Sequence, residues 1–78
     1  MTEIRIEPGK RYQIRIGYSE VCMHMRVAGT IMGVELLPIN EYRAMAQLYA
    51  ADGRMFSSPI LASEAGIRHD QSGWYARV

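Results

Sequence analysis

Seventy-eight residues, 49% apolar and 22% charged, have the composition of an ordinary globular chain, with room for one domain (residues 1–78) and one core. That balance excludes a disordered tail, and no run of about 18 apolar residues is present to cross a membrane as a helix. Nine basic residues against eight acidic ones leave a formal charge of +1, spread evenly over both halves, so the chain has neither a basic arm nor an acidic tail.

Glu3, Arg5 and Glu7 interrupt any apolar stretch of the signal-peptide type, and a cytoplasmic location is expected. The single cysteine, Cys22, cannot form an internal disulfide, so stability must come from packing. Eight of the nine basic residues are arginine. The planar fork of that side chain suits carboxylate pairs at protein interfaces, although a GC-rich genome produces the same bias.

Ile4 and Ile6 alternate with Glu3, Arg5 and Glu7, the period of a half-buried strand. Glu7-Pro8-Gly9-Lys10 has proline and glycine where a type II turn wants them. Tyr12, Ile14, Ile16 and Tyr18 then alternate with Arg11, Gln13, Arg15 and Gly17, a second strand that pairs with the first if the turn closes a hairpin. A third alternation places Val21, Met23, Met25 and Val27 inward and Cys22, His24 and Arg26 outward. After a turn at Gly29, the apolar run from Thr30 to Leu37 reads as a central strand ended by Pro38.

The second half changes period. Tyr42, Met45, Ala46, Tyr49 and Ala50 recur at helical spacing behind a capping Asn40, which predicts an amphipathic helix near 41–51 stopped by Asp52-Gly53. The same dipeptide is a favoured hairpin tip, so strands at 43–50 and 54–60 are the competing reading; alanine content favours the helix. Ser58-Pro59 followed by Gly66 predicts a short helical turn near 59–65. Residues 67–69 and 74–78, around the polar stretch 70–73, read as a terminal strand or hairpin. The expected fold is α+β: a small antiparallel sheet of about four to six strands, or a partly open barrel, carrying that helix and that turn.

The residues able to carry chemistry do not assemble into a recognisable site. Cys22, His24 and His69 fall short of the four ligands of a closed zinc site. Cys22 with a histidine base, or His69-Asp70 with Ser57, Ser58 or Ser72, lacks an orienting third group or a nucleophile elbow. Gly29 and Gly33 lie four apart with no following Gly-Lys-Ser/Thr, so no phosphate loop is supported. No cofactor or metal is expected, and a Cys/His or Ser/His hydrolase is a remote alternative.

Surface composition says more. Six methionines accompany Tyr12, Tyr18, Tyr42, Tyr49, Trp74 and Tyr75, and a domain of this size cannot hide all of them. Met23, Met25 and Met45 are expected inward. Exposed methionine, tyrosine and arginine together suit a protein partner or self-association, and a homodimer is expected. Arg11, Arg15, Tyr18, Trp74 and Tyr75 are the expected partner-binding residues. If the first three strands are neighbours, Arg5, Arg11, Gln13, Arg15 and Arg26 share a face able to bind single-stranded nucleic acid, but Glu3, Glu7 and Glu20 lie among them and disfavour it.

The chain, starting at Met1, is expected to be a free-standing gene product that works by occupying a surface on something larger. In size and style it resembles phage or mobile-element products that block host machinery, anti-CRISPR proteins among them. The resemblance implies a non-enzymatic inhibitor acting through protein–protein contact. The alternative is a small β-sheet or barrel nucleic-acid-binding protein.

Overall fold

Seven strands and one short helix form in the described residues, 2–78, of the computed structural model: β1 (Glu3–Ile6), β2 (Arg11–Arg15), α1 (Glu20–His24), β3 (Ile31–Pro38), β4 (Ala44–Tyr49), β5 (Ile60–Leu61), β6 (Arg68–Asp70) and β7 (Gly73–Arg77). They make two antiparallel sheets, ordered β2-β3-β4-β5 and β1-β7-β6, with no ladder between them. The fold is therefore β-rich, and two sheets replace the single sheet or barrel expected from the sequence. No helix among the described residues is long and apolar enough to cross a membrane.

The apolar run ending at Pro38 is the central strand its composition predicts. Its even positions Met32, Val34 and Leu36 are buried, as is Ile14 from β2 and Ala46 and Leu48 from β4. Ile6 and Ala76 from the second sheet, with Ile16, Cys22 and Ile67, join the same cluster. Full burial of a side chain such as Ile14 or Leu48 contributes roughly 1.5–3 kcal/mol.

The first two strands do not form a hairpin. β1 instead pairs with β7, from Glu3 opposite Arg77 to Ile6 opposite Trp74, and β2 pairs with β3. The Pro8-Gly9 turn forms as expected, with Gly9 at φ +83°, but it carries the chain from one sheet to the other. Tyr12 secures the crossing by accepting a hydrogen bond at its hydroxyl from the Glu7 N–H (3.1 Å).

Residues 21–27 are not a strand. Ser19 caps α1, its Oγ accepting from the Cys22 N–H, and Arg26 ends it in the left-handed region at φ +62°. Val21 and Met25 lie on one side under either period, so alternation could not distinguish them, and the serine cap decides for the helix. The consequence exchanges two of the expected positions, Cys22 being completely buried and Met23 60% exposed, while Val27 is buried and His24 and Arg26 are exposed as expected. Met25 and Met45, also expected inward, are half-buried.

The helix at 41–51 is overturned. Asn40 does cap, but its Oδ1 accepts from Tyr42 and Arg43 N–H in a tight loop (2.9 and 3.0 Å), and β4 follows. Alanine's helix preference is worth at most about 0.7 kcal/mol per residue over ordinary residues. Six consecutive pairs with β3, and burial of Ala44, Ala46 and Leu48 on one face, outweigh it. The hairpin reading holds in part: the chain turns at Asp52-Gly53, where Gly53 N–H donates to the Ala50 carbonyl, but 54–59 returns beside β4 through the single bridge of Tyr49 with Met55 and the Gln47 Nε2 bond to the Ser57 carbonyl (2.7 Å), and a strand resumes only at Ile60.

The helical turn expected at 59–65 is displaced. Ile60 and Leu61 pair with β4, and the turn occupies 62–66, with Leu61 N–H donating to Glu64 Oε1 and Gly66 as its stop at φ +92°. The terminal hairpin β6–β7 forms as predicted, its turn closed by Ser72 N–H donating to Asp70 Oδ1.

The two sheets meet where Gly17, just past β2, lies against Gly66. The Gly17 N–H donates to the Ala65 carbonyl (2.9 Å), and a Cβ on either glycine would come within 3.0–3.2 Å of the other's backbone. Gly53 offers a control, since its φ is +87° but a Cβ there meets nothing. Both Gly53→Ala and Gly66→Ala carry the left-handed penalty of about 1–2 kcal/mol. Gly66→Ala should cost at least about 1 kcal/mol more, a further 4–8 °C in Tm. Equal losses in thermal melts would show that the close approach contributes nothing.

Candidate functional site

Alternation along the second sheet puts Arg5 and Glu3 of β1, Tyr75 and Arg77 of β7, and Arg68 and Asp70 of β6 on its outer face. Arg5 reaches across β7 at the level of Gly73, where no side chain intervenes, and pairs bidentately with Asp70 (2.7 and 3.0 Å). Its guanidinium also lies 5.2 Å from the centre of the Tyr75 ring. The Arg68 side chain has no hydrogen-bond or ion-pair partner among the described residues.

This face runs into a groove of about 420 Å³ between the two sheets. Arg15, Ile16, Gly17 and Tyr18 form one wall; Tyr75, Ala76, Arg77 and Val78 form the other; Glu3, Gly66 and Arg68 complete it. Arg15 is held by a hydrogen bond from Nη1 to the Gly29 carbonyl (2.7 Å). Tyr18, 75% exposed, lays its phenol where a Cβ of residue 29 would be, and Gly29 at φ +78° leaves that space open. The side chains of the lining include three arginines and one glutamate, a formal +2, whereas the side chains of the rest of the chain sum to −1. The fold thus concentrates positive charge that is evenly spread along the sequence.

Three of the five expected partner-binding residues, Arg15, Tyr18 and Tyr75, line this groove. Arg11 lies on the outer face of the other sheet, 3.5 Å above the Tyr49 ring, whose hydroxyl donates to Glu35 (3.1 Å). Trp74 points to the opposite side of its strand and lines a smaller cavity of about 140 Å³ with Tyr42, Arg43 and Leu61. His69 lies edge-on between Trp74 (4.7 Å) and Tyr42 (5.9 Å). Arg68, Arg77, Gly17 and Gly66 were not singled out by the sequence; alternation on either side of the 70–73 turn was the available signal for the two arginines.

The five-residue face of Arg5, Arg11, Gln13, Arg15 and Arg26 does not form. Arg5 belongs to the other sheet and Arg26 follows α1, so only Arg11, Gln13 and Arg15 share a side of β2. Cys22, expected outward, is in the core with Sγ donating to the Glu64 carbonyl (3.3 Å), while His24 is exposed two residues further along the helix. Residues at that spacing do not face each other. Asp70 is occupied by Arg5 and the Ser72 N–H and does not orient His69.

The Arg5 hydrogen bond, supported by the Ser72 N–H, holds the Asp70 carboxyl below the ordinary aspartate range and raises Arg5 correspondingly. Lys10 lowers Glu7 in the same way. A depressed carboxyl stabilises the fold above its unfolded-state value, and that contribution is lost as pH falls through the folded-state value. Wild type should therefore melt above Asp70→Asn at pH 7, with the gap closing as pH falls below the ordinary aspartate value of about 3.9 and through the lower folded-state value, and narrowing in high salt. A gap independent of pH would show that the ion pair is not its source.

No protein-family model, curated protein sequence or solved structure matches the chain, so its functional reading rests on this groove.

Proposed function

We propose that the chain is a non-enzymatic binding protein that acts through protein–protein contact centred on the groove between the two sheets. The carrying observation is the meeting of Arg15, Arg68 and Arg77 with Tyr18 and Tyr75 over a floor of Ile16, Gly17, Gly66 and Ala76. An apolar centre ringed by arginine and tyrosine is the usual anatomy of a protein interface, and those two residue types dominate measured hot spots. Inhibition of a larger assembly, in the manner of the anti-CRISPR-like products that the chain resembles in size and style, is the role this reading suits. A small nucleic-acid-binding protein is the second reading, favoured by the +2 charge of the lining.

The test is photo-cross-linking from benzoylphenylalanine at position 18 in cells of the source organism, followed by affinity measurement with the captured protein. Arg15→Ala, Tyr18→Ala, Arg68→Ala and Tyr75→Ala should each weaken that complex at least about tenfold with the fold intact by circular dichroism. Arg11→Ala, His24→Ala and His69→Ala should stay within a few-fold. Adducts to nucleic acid alone would promote the second reading. A histidine variant that stayed folded and bound its partner yet lost all activity would overturn the non-enzymatic one.

Self-association is proposed on a separate observation: Ile39, Tyr42, Met55 and Phe56 are exposed outside the groove. Light scattering at micromolar concentration should give about twice the 8.9 kDa chain mass. A concentration-independent monomer mass would refute the dimer.

A further inference from the structure

Resting on the protein-contact reading above, the geometry points to the chemistry of what enters the groove: we propose an extended acidic segment of the partner, with an apolar residue seated on the Gly17–Gly66 floor and flanking carboxylates on Arg15 and Arg68.

Charge complementarity is the first support. The side chains of the lining are formally +2 and those of the remainder −1, and every side-chain cation in the groove is an arginine, whose planar fork fits a carboxylate bidentately. Arg68 is a guanidinium without a carboxylate partner among the described residues, and Arg15 is presented rigidly by its bond to the Gly29 carbonyl.

The floor argues for a peptide and against a phosphodiester. A phosphate cradle works through open backbone N–H groups, and here they are used internally. Ile16 N–H donates to the Thr30 carbonyl (2.8 Å), Gly17 to Ala65 (2.9 Å) and Gly66 to Ser63 (3.2 Å). The two half-buried glycines pack on each other and put no side chain into the groove beside Ile16 and Ala76, which leaves room for an apolar side chain or a close backbone. Nor is Tyr75 an open stacking platform for a base, because Arg5 lies over its ring. The shape fits an extended ligand, because consecutive residues at two chain segments, 15–18 and 75–78, line the walls.

The experiment pans a displayed library of random ten-residue peptides against the folded wild-type protein, with a labelled ten-nucleotide oligothymidine titrated in parallel. Enriched peptides should carry at least two carboxylates flanking an apolar residue. A synthesised winner should bind at least about tenfold more weakly to Arg15→Ala and to Arg68→Ala, with Arg68→Lys recovering part of the loss, and its affinity should fall with salt. Its amide shift changes should centre on Gly17, Gly66 and Ala76. Enrichment of neutral or basic peptides, or binding insensitive to the arginine variants, overturns the acidic segment while leaving protein contact to the position-18 cross-link. Failure to enrich any peptide also overturns it, and if oligothymidine then binds in an Arg68-dependent way, protein contact through this groove falls as well.

Discussion

Two glycines in backbone contact hold this architecture together. Gly17 ends the run of β2 and Gly66 ends the turn at 62–66, and each occupies the space that a Cβ on the other would need. That approach, with the Gly17 N–H on the Ala65 carbonyl, is where the four-stranded sheet meets the chain leading into the three-stranded one. The shape of the groove follows from it. The groove lies over this junction, its walls belong to different sheets, and a side chain at either glycine would push the two backbones apart.

Electrostatics then acts on a surface that the junction has already shaped. Arg5 is committed to Asp70 and to the Tyr75 ring, and Arg11 to the ring of Tyr49. Arg15 is fixed from behind by the Gly29 carbonyl, so its fork faces a defined direction at little further entropic cost. Exposed ion pairs of this kind contribute little to stability. Their effect here is to keep Arg5 and Arg11 on the sheet faces, while Arg68 lines the groove without a carboxylate partner among the described residues.

The strand at β4 shows how tertiary pairing overrides local preference. Ala44, Ala46 and Ala50 are good helix formers, and Tyr42, Met45 and Tyr49 lie at helical spacing. A helix of that length gains little alone, whereas β3 offers a full ladder and a core face on which small alanines pack beside Leu48. The reverse happened at 21–27, where alternation suggested a strand but Ser19 supplied a cap and the short segment closed into a helix. In both places the apolar spacing satisfied two periods at once, and the deciding term lay outside the window being read.

By itself the sequence determined the local elements whose signals are short-range. The alternation of β1 and β2, the apolar run of β3, the Pro8-Gly9 turn, the turn at Gly29, the Asp52-Gly53 hairpin tip in its competing reading, and the terminal hairpin were all legible, because each depends on residues within a few positions of one another. Of the groove, it marked Arg15, Tyr18 and Tyr75 by residue type alone. Tertiary structure decided the pairing of β1 with β7 across the length of the chain, the burial of Cys22, and the union of residues 15–18, 66–68 and 75–78 in one groove. Charge that is balanced along the chain became a +2 groove only because strands distant in sequence were brought side by side, and no one-dimensional count of charge contains that distance.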